Sequence, residues 1–208
     1  MNEPPSAARD SRNRKFLVAL ALLFFLPLAA SFYMYYGPVS WRPANHVNRG
    51  DLIDPARPLP ELSLPAAARD ADHQTKADFL KGKWTLLYYG AGDCSARCRT
   101  DLYNTRQIRI ALNRDMDRVQ RVFLAEGECC DWPFLEKEHP DLLTVRATPE
   151  AAPLVTLLPA VDGILPLQAD RVYLIDPLGN LMMSYAPNAR PKGMLEDLKR
   201  LLGLSHVG

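Results

Sequence analysis

The sequence predicts an α/β domain standing behind a single N-terminal transmembrane helix. Three observations carry this reading. An uncharged run extends from Phe16 to Tyr36, strand-like and helix-like segments alternate after residue 60, and a late pair of apolar segments brackets a turn. The 208 residues suit one ordinary domain plus appendages, and a 48% apolar content is enough for a sizeable core. Basic and acidic residues number 25 and 24, a balance that gives no reason to expect nucleic acid as a partner.

The run FLVALALLFFLPLAASFYMYY, residues 16–36, is long enough to cross a bilayer. Pro27 would kink it, which membrane helices tolerate. Arg9, Arg12, Arg14 and Lys15 precede it, whereas only Arg42 and Arg49 follow within a similar distance. Positive charge stays cytoplasmic. The reading is a cytoplasmic tail over 1–15, an anchor in the inner membrane over 16–36, and the rest in the periplasm. A cleaved signal peptide is the alternative. Ala29 and Ala30 would suit its cleavage site, but Leu28 fits poorly and the apolar run continues past them. In either case four cysteines reach a compartment where disulfides persist.

Residues 37–60 hold Pro38, Pro43, Pro55, Pro58 and Pro60 without periodicity, and read as an extended tether. The folded domain is placed at 61–204. Glu61–Pro65 reads as a short strand, and Thr75–Leu80 as one helical turn capped by Thr75 and ended by Gly82. Trp84–Tyr89, aromatic and aliphatic throughout, suits a buried strand. Gly90–Cys94 is a tight turn in which Asp93 can cap the next helix. That helix should bury Cys98, Leu102, Thr105, Ile108, Leu112, Met116 and Val119, with its arginines mostly elsewhere on its surface.

Val119–Ala125 is the next strand, parallel to the first because a helix connects them. Trp132–His139 and Ala151–Leu158 are weaker helices. Val172–Asp176 and Asn180–Tyr185 form a hairpin around Asp176-Pro-Leu-Gly179, a type I turn. Met194, Leu195, Leu198, Leu201 and Leu202 line an amphipathic helix capped by Gly203. A motif at the first strand–helix junction, followed by a late antiparallel hairpin, is the thioredoxin-like arrangement.

Cys94 and Cys98 lie at that junction. Positions four apart share a helix face, so the two sulfurs can join in a disulfide or point at one metal ion. Unpaired N–H groups at a helix start stabilise a thiolate, and Arg97 and Arg99 add positive potential. A structural disulfide or two inert core thiols would use the same spacing.

The segment Phe79-Leu-Lys-Gly-Lys-Trp-Thr-Leu-Leu-Tyr-Tyr-Gly-Ala-Gly-Asp-Cys-Ser-Ala-Arg-Cys98 resembles the Sco/SenC family of cytochrome c oxidase assembly proteins. Tyr173-Leu-Ile-Asp-Pro-Leu-Gly179 is similar to that family's late hairpin. The similarity runs from about Glu61 to Leu204. It implies a thioredoxin-like fold and an assembly chaperone, not a high-turnover enzyme, working on the copper-site subunit of a terminal oxidase or on another exported thiol protein. It also implies Cu(I) as cargo, with Cys94 as the exposed, attacking or metal-binding thiolate and Cys98 as the resolving thiol or second ligand. Two departures stand out. Ser95 and Arg99 occupy the positions of the family's prolines, and Gln168 stands where its copper-binding histidine should be. A Gln amide oxygen is a weak ligand for soft Cu(I), whereas the dithiol chemistry needs no third ligand.

Cys129 and Cys130 follow the second strand, at the sheet edge that carries Cys94. They are candidates to supply the missing ligand or to act as resolving thiols, and a vicinal disulfide is the plain alternative. Glu126 and Glu128 beside them would raise their thiol pKa. His46, His73, His139 and His206 read as exposed loop histidines, with His139 able to reach the site edge. No P-loop, paired CxxC or Ser-His-Asp spacing is present. Two rival functions remain: a metal-free thiol–disulfide reductase, and a binding module with a permanent disulfide.

Overall fold

The computed structural model describes residues 7–37, 47–67, 73–187 and 189–205. Helix α1, Ala7–Tyr36, stands as a unit by itself, with Pro27 inside it. Its stretch Asn13–Tyr36 is the one helix among the described residues long and apolar enough to cross a membrane. At 1.5 Å per residue it spans about 36 Å, more than the roughly 30 Å of a hydrocarbon core.

The second unit is built on a sheet of eight strands: β1 Asp51–Pro58, β2 Pro65–Ala66, β3 His73–Gln74, β4 Trp84–Ala91, β5 Val119–Glu126, β6 Leu142–Arg146, β7 Val172–Ile175 and β8 Asn180–Tyr185. Their order is β1-β8-β7-β4-β5-β6-β2-β3. Strands β4, β5 and β6 run parallel, and β7 and β8 pair antiparallel on the other side of β4. The helices are α2 Ala96–Ala111, α3 Trp132–Glu138, α4 Ala152–Val155 and α5 Pro191–Leu204.

Period-2 alternation explains why β4 is apolar throughout. Leu86 and Tyr88 enter one core cluster with α2, α3 and α5, whereas Leu87 and Tyr89 enter a second cluster with Leu154 and Leu158. The hairpin turn forms as read: Gly179 N–H donates to the Asp176 carbonyl at 3.0 Å, and Asp176 Oδ1 accepts from the Leu178 and Asn180 amides.

The structure departs from the reading in several places. Asp51–Pro58, assigned to the tether, is an edge strand paired with β8. Most of its side chains are exposed, so backbone bonds hold it and no apolar pattern announces it. A proline is tolerated there because the outer side of an edge needs no N–H donor. Just before the strand, the Arg49 and Gly50 amides donate to Asp197 Oδ2 at 2.8 and 3.1 Å, fastening this segment to α5. The rest of the tether reading, residues 38–46, lies outside the described residues, as do His46 and His206.

Residues 61–64 are not a strand, and Thr75 does not cap a helix. Its Oγ1 accepts from the Leu64 amide, and residues 77–80 form a turn. Helix α2 ends at Ala111, where Asn113 adopts φ 57 and a 3-10 turn follows over Asn113–Arg118. Asn tolerates that left-handed conformation better than most residues. Met116 is therefore exposed, and Val119 opens β5 instead of closing the helix. Strand β6 was not read from the sequence. Helix α5 continues through Gly203 to Leu204.

Candidate functional site

The chain leaves β4 at Ala91 and turns at once, with the Gly92 amide donating to the Glu126 carbonyl at 2.8 Å and the Cys94 amide to the Ala91 carbonyl at 3.1 Å. Cys94 adopts φ 48, a left-handed conformation that costs an L-residue about 1 kcal/mol. The helix start lies two residues later than a cap at Asp93 would place it. Ser95 is the N-cap, its Oγ accepting from the Cys98 amide at 3.3 Å. The sequence reading had assigned the cap to Asp93.

Cys94 and Cys98 are joined in a disulfide with Cα atoms 5.1 Å apart. Cys98 sits in the first turn of α2, where free N–H groups and the helix dipole favour a thiolate once the bond is reduced. The expectation that Cys94 would be exposed is corrected: both residues are only 2% exposed. The two arginines are committed to local partners. Arg97 Nε donates to Asp101 Oδ2 at 2.9 Å. Arg99 Nε donates to the Cys94 carbonyl at 3.3 Å, its other arm reaches Asp131 Oδ2, and its guanidinium lies 4.5 Å from the Phe134 ring centre.

A polar network that no sequence motif announces lies close to the pair. Tyr88 donates its hydroxyl to Asp170 Oδ1 at 2.8 Å. Asp101, one turn after Cys98, is buried, and burial pushes its carboxyl above the usual range although Arg97 opposes this. Burial, with Asp170 adding to it, likewise raises the Tyr88 phenol. Such a carboxyl can hold or release a proton near the thiols.

Cys129 and Cys130 lie in the loop after β5, half-buried, and are joined in a vicinal disulfide. Both pack against the core cluster that contains Cys94 and Cys98. The contact is close at Gly92: a Cβ there would lie 2.3 Å from the Glu128 carbonyl oxygen and 3.0 Å from Cys129 Cα. Only glycine lets the two loops approach this way. The expected gathering of both cysteine pairs at one sheet edge is thus present at the level of backbone and packing.

Gln168 is exposed, in a 3-10 turn over Pro166–Gln168. His139 does not reach the thiols. It is 3% exposed, and its Nδ1 lies 3.3 Å from an Arg121 nitrogen. Because guanidinium only donates, Nδ1 accepts and Nε2 carries the proton. Arg121 also donates to Asp141, Thr105 and the Leu102 carbonyl. His139 therefore belongs to a buried ion-pair cluster, which corrects its reading as an exposed loop residue. Among the described residues no group of three or more His, Cys, Asp or Glu side chains is arranged to hold a metal. Reduced Cys94 and Cys98 would offer copper two sulfurs, and the exposed amide of Gln168 is a poor third donor. The full two-thiolate, one-imidazole set does not fit these residues.

Residues 84–205 match the family model described as transmembrane-like, thioredoxin-like, C-terminal domain. No protein of curated function matches the chain. Among solved structures, apo Sco1 from Thermus thermophilus is 18% identical, with a TM-score of 0.55, covering 76% of this chain and 99% of its own. Yeast Sco1 with copper bound is 16% identical, with a TM-score of 0.55, covering 70% of this chain and 90% of its own. Copper-bound ScoI from Arabidopsis thaliana is 20% identical, with a TM-score of 0.54, covering 69% and 97%. At these identities the likeness establishes the fold, and it agrees with the Sco resemblance read from the residues. The chain belongs to the transmembrane-like, thioredoxin-like C-terminal domain family and has a Sco-like thioredoxin fold.

Proposed function

We propose that this protein is a membrane-anchored, periplasm-facing assembly factor that keeps the cysteines of an exported target reduced through the Cys94/Cys98 dithiol. The copper-site subunit of a terminal oxidase is the target that the Sco likeness favours. The observation that carries the reading is the joining of these two cysteines across the start of α2, off the end of the central strand. A helix start stabilises the leaving thiolate of a disulfide exchange, and the buried Asp101 nearby suits proton transfer. Periplasmic orientation rests on the four cationic residues before the anchor.

Reduced Cys94 and Cys98 would exchange with a target disulfide by attack of one thiolate on a target sulfur. The second thiol then resolves the mixed disulfide, leaving Cys94–Cys98 oxidised and the target as a dithiol. The test is incubation of the reduced full-length chain, in detergent micelles, with an oxidised peptide of the target's two-cysteine copper loop. Stoichiometric peptide reduction, lost in Cys94→Ser and in Cys98→Ser, is expected. No exchange under conditions where dithiothreitol reduces the peptide would overturn the proposal.

Copper carriage is the second reading, favoured by the two adjacent sulfurs alone. It expects the reduced chain to take one Cu(I) from a competing chelator, and that uptake to be lost in Cys94→Ser.

A further inference from the structure

In this oxidised, closed arrangement the inner disulfide is covered, and both its reduction and its later exchange with a target need that cover to part. Cys94 and Cys98 are 2% exposed, and a protein-borne thiol must come within bonding distance of a sulfur to attack it. Cys129 and Cys130, by contrast, are half-buried and open to solvent. They lie beside the turn that carries the inner pair: the Cys129 backbone lies against Gly92, two residues before Cys94, and Cys129 and Cys130 pack against the core cluster that holds Cys94 and Cys98. Arg99 ties the two loops together, holding the Cys94 carbonyl with one nitrogen and Asp131, next to Cys130, with another.

We infer that Cys129 and Cys130 are an outer redox pair that relays thiol–disulfide exchange from an exported thioredoxin-like dithiol protein to the Cys94–Cys98 bond. The inference rests on the proposed function, because it supplies the electrons that the inner pair spends on its target.

The steps balance as follows. A thiolate of the donor attacks the Cys129–Cys130 bond, giving a mixed disulfide and one free cysteine. The donor's second thiol displaces the other, so the donor leaves as a disulfide and Cys129 and Cys130 become thiols. Two electrons and two protons have moved. One of these thiols, as thiolate, attacks the Cys94–Cys98 bond and forms a mixed disulfide within the chain. The neighbouring thiol then attacks that bond, re-forms Cys129–Cys130 and releases the second inner thiolate. Cys94 and Cys98 end as the dithiol, and the outer pair is oxidised again.

The buried position of the inner pair becomes useful in this scheme. Stray small thiols and oxidants meet the outer pair first, and Cys94–Cys98 exchanges when the Gly92 and Glu128–Cys130 loops part. That opening is local, since it breaks loop contacts and leaves the sheet intact.

The experiment uses the oxidised full-length chain in micelles, with reduced thioredoxin as the protein donor and dithiothreitol as the small one. Rapid quenching with a thiol-alkylating reagent and peptide mapping reads each pair. In the wild-type chain, thioredoxin should label Cys129 and Cys130 before Cys94 and Cys98. Simultaneous or reversed labelling overturns the relay, and this reading needs no variant. In Cys129→Ser/Cys130→Ser, the rate at which thioredoxin reduces Cys94–Cys98 should fall at least tenfold, while dithiothreitol still reduces it. An unchanged thioredoxin rate in that variant overturns the relay and leaves the proposed function standing. If neither donor reduces Cys94–Cys98 in the folded wild-type chain, the proposed function fails and the relay with it.

Discussion

Acid should loosen this domain through His139. In the folded chain burial lowers its pKa to about 4, with Arg121 and Arg106 adding to the effect and Asp141 and Glu138 opposing it. In the unfolded chain an ordinary histidine titrates near 6.5. Between these values the unfolded chain binds a proton that the folded chain refuses. Stability is therefore fully present above about pH 6.5 and is lost progressively as pH falls toward 4. A histidine held neutral down to about pH 4 contributes about 3 kcal/mol at most, of which about 2.5 kcal/mol should be gone at pH 4.5. The assay is urea unfolding of the full-length chain in micelles at several pH values, followed by the fluorescence of Trp84 and Trp132. The comparison is His139→Gln, whose amide oxygen can take over the Arg121 hydrogen bond. Carboxylates titrate in both proteins and cancel in the difference. The two stability curves should converge from pH 7 to pH 4.5; parallel curves would refute the buried, neutral histidine.

Three further outcomes follow from the same geometry. Arg121→Ala should cost about 1–3 kcal/mol by urea unfolding, because it takes the donor from the buried His139 Nδ1 and the Leu102 carbonyl, whereas Asp141 keeps its ion pair with Arg109. Gly92→Ala places a Cβ 2.3 Å from the Glu128 carbonyl, so it should cost about 1–3 kcal/mol and speed the direct reduction of Cys94–Cys98 by thioredoxin; an unchanged rate would mean that this loop contact does not guard the bond. Ser95→Ala should lower stability by about 1 kcal/mol, whereas Asp93→Ala should leave it within about 0.5 kcal/mol, a difference measurable by thermal unfolding.

The elements legible in the sequence are those whose side chains enter the core. Strands β4 and β5 and the β7–β8 hairpin carry unbroken or alternating apolar runs, and the turn between β7 and β8 carries its own chemistry. Strand β1 was illegible because its bonds are backbone bonds and its side chains face water. The cap was misplaced by one positive φ at Cys94, which residue spacing does not encode. Arg121 is different, since its burial had a signal. It shares its phase along β5 with Val119, Phe123 and Ala125, so period-2 reading puts it on the core face, and a buried arginine needs a carboxylate. The depth of the cysteines could not be read, because it is a tertiary property: they join a core cluster drawn from β4, α2, β5, α3 and α5, segments distant in the sequence.

That depth bears on what the thiol pair can do. Had a strand or a long helix sealed Cys94 and Cys98, exposing them would require unfolding much of the domain. Here a short loop lies against the turn that carries Cys94, and what joins the two is local: the Gly92–Glu126 hydrogen bond, the Arg99 bridge between the Cys94 carbonyl and Asp131, and the close approach at Gly92. Arg99 and Asp131 keep 44% and 32% of their side-chain surfaces exposed, and so exposed an ion pair is worth at most about 1 kcal/mol. Opening the site is therefore inexpensive compared with global unfolding. Burial then acts as a gate on the dithiol and not as a bar to its chemistry. Because part of the gate is itself a disulfide, the reduction state of Cys129 and Cys130 is positioned to control when Cys94 and Cys98 can react.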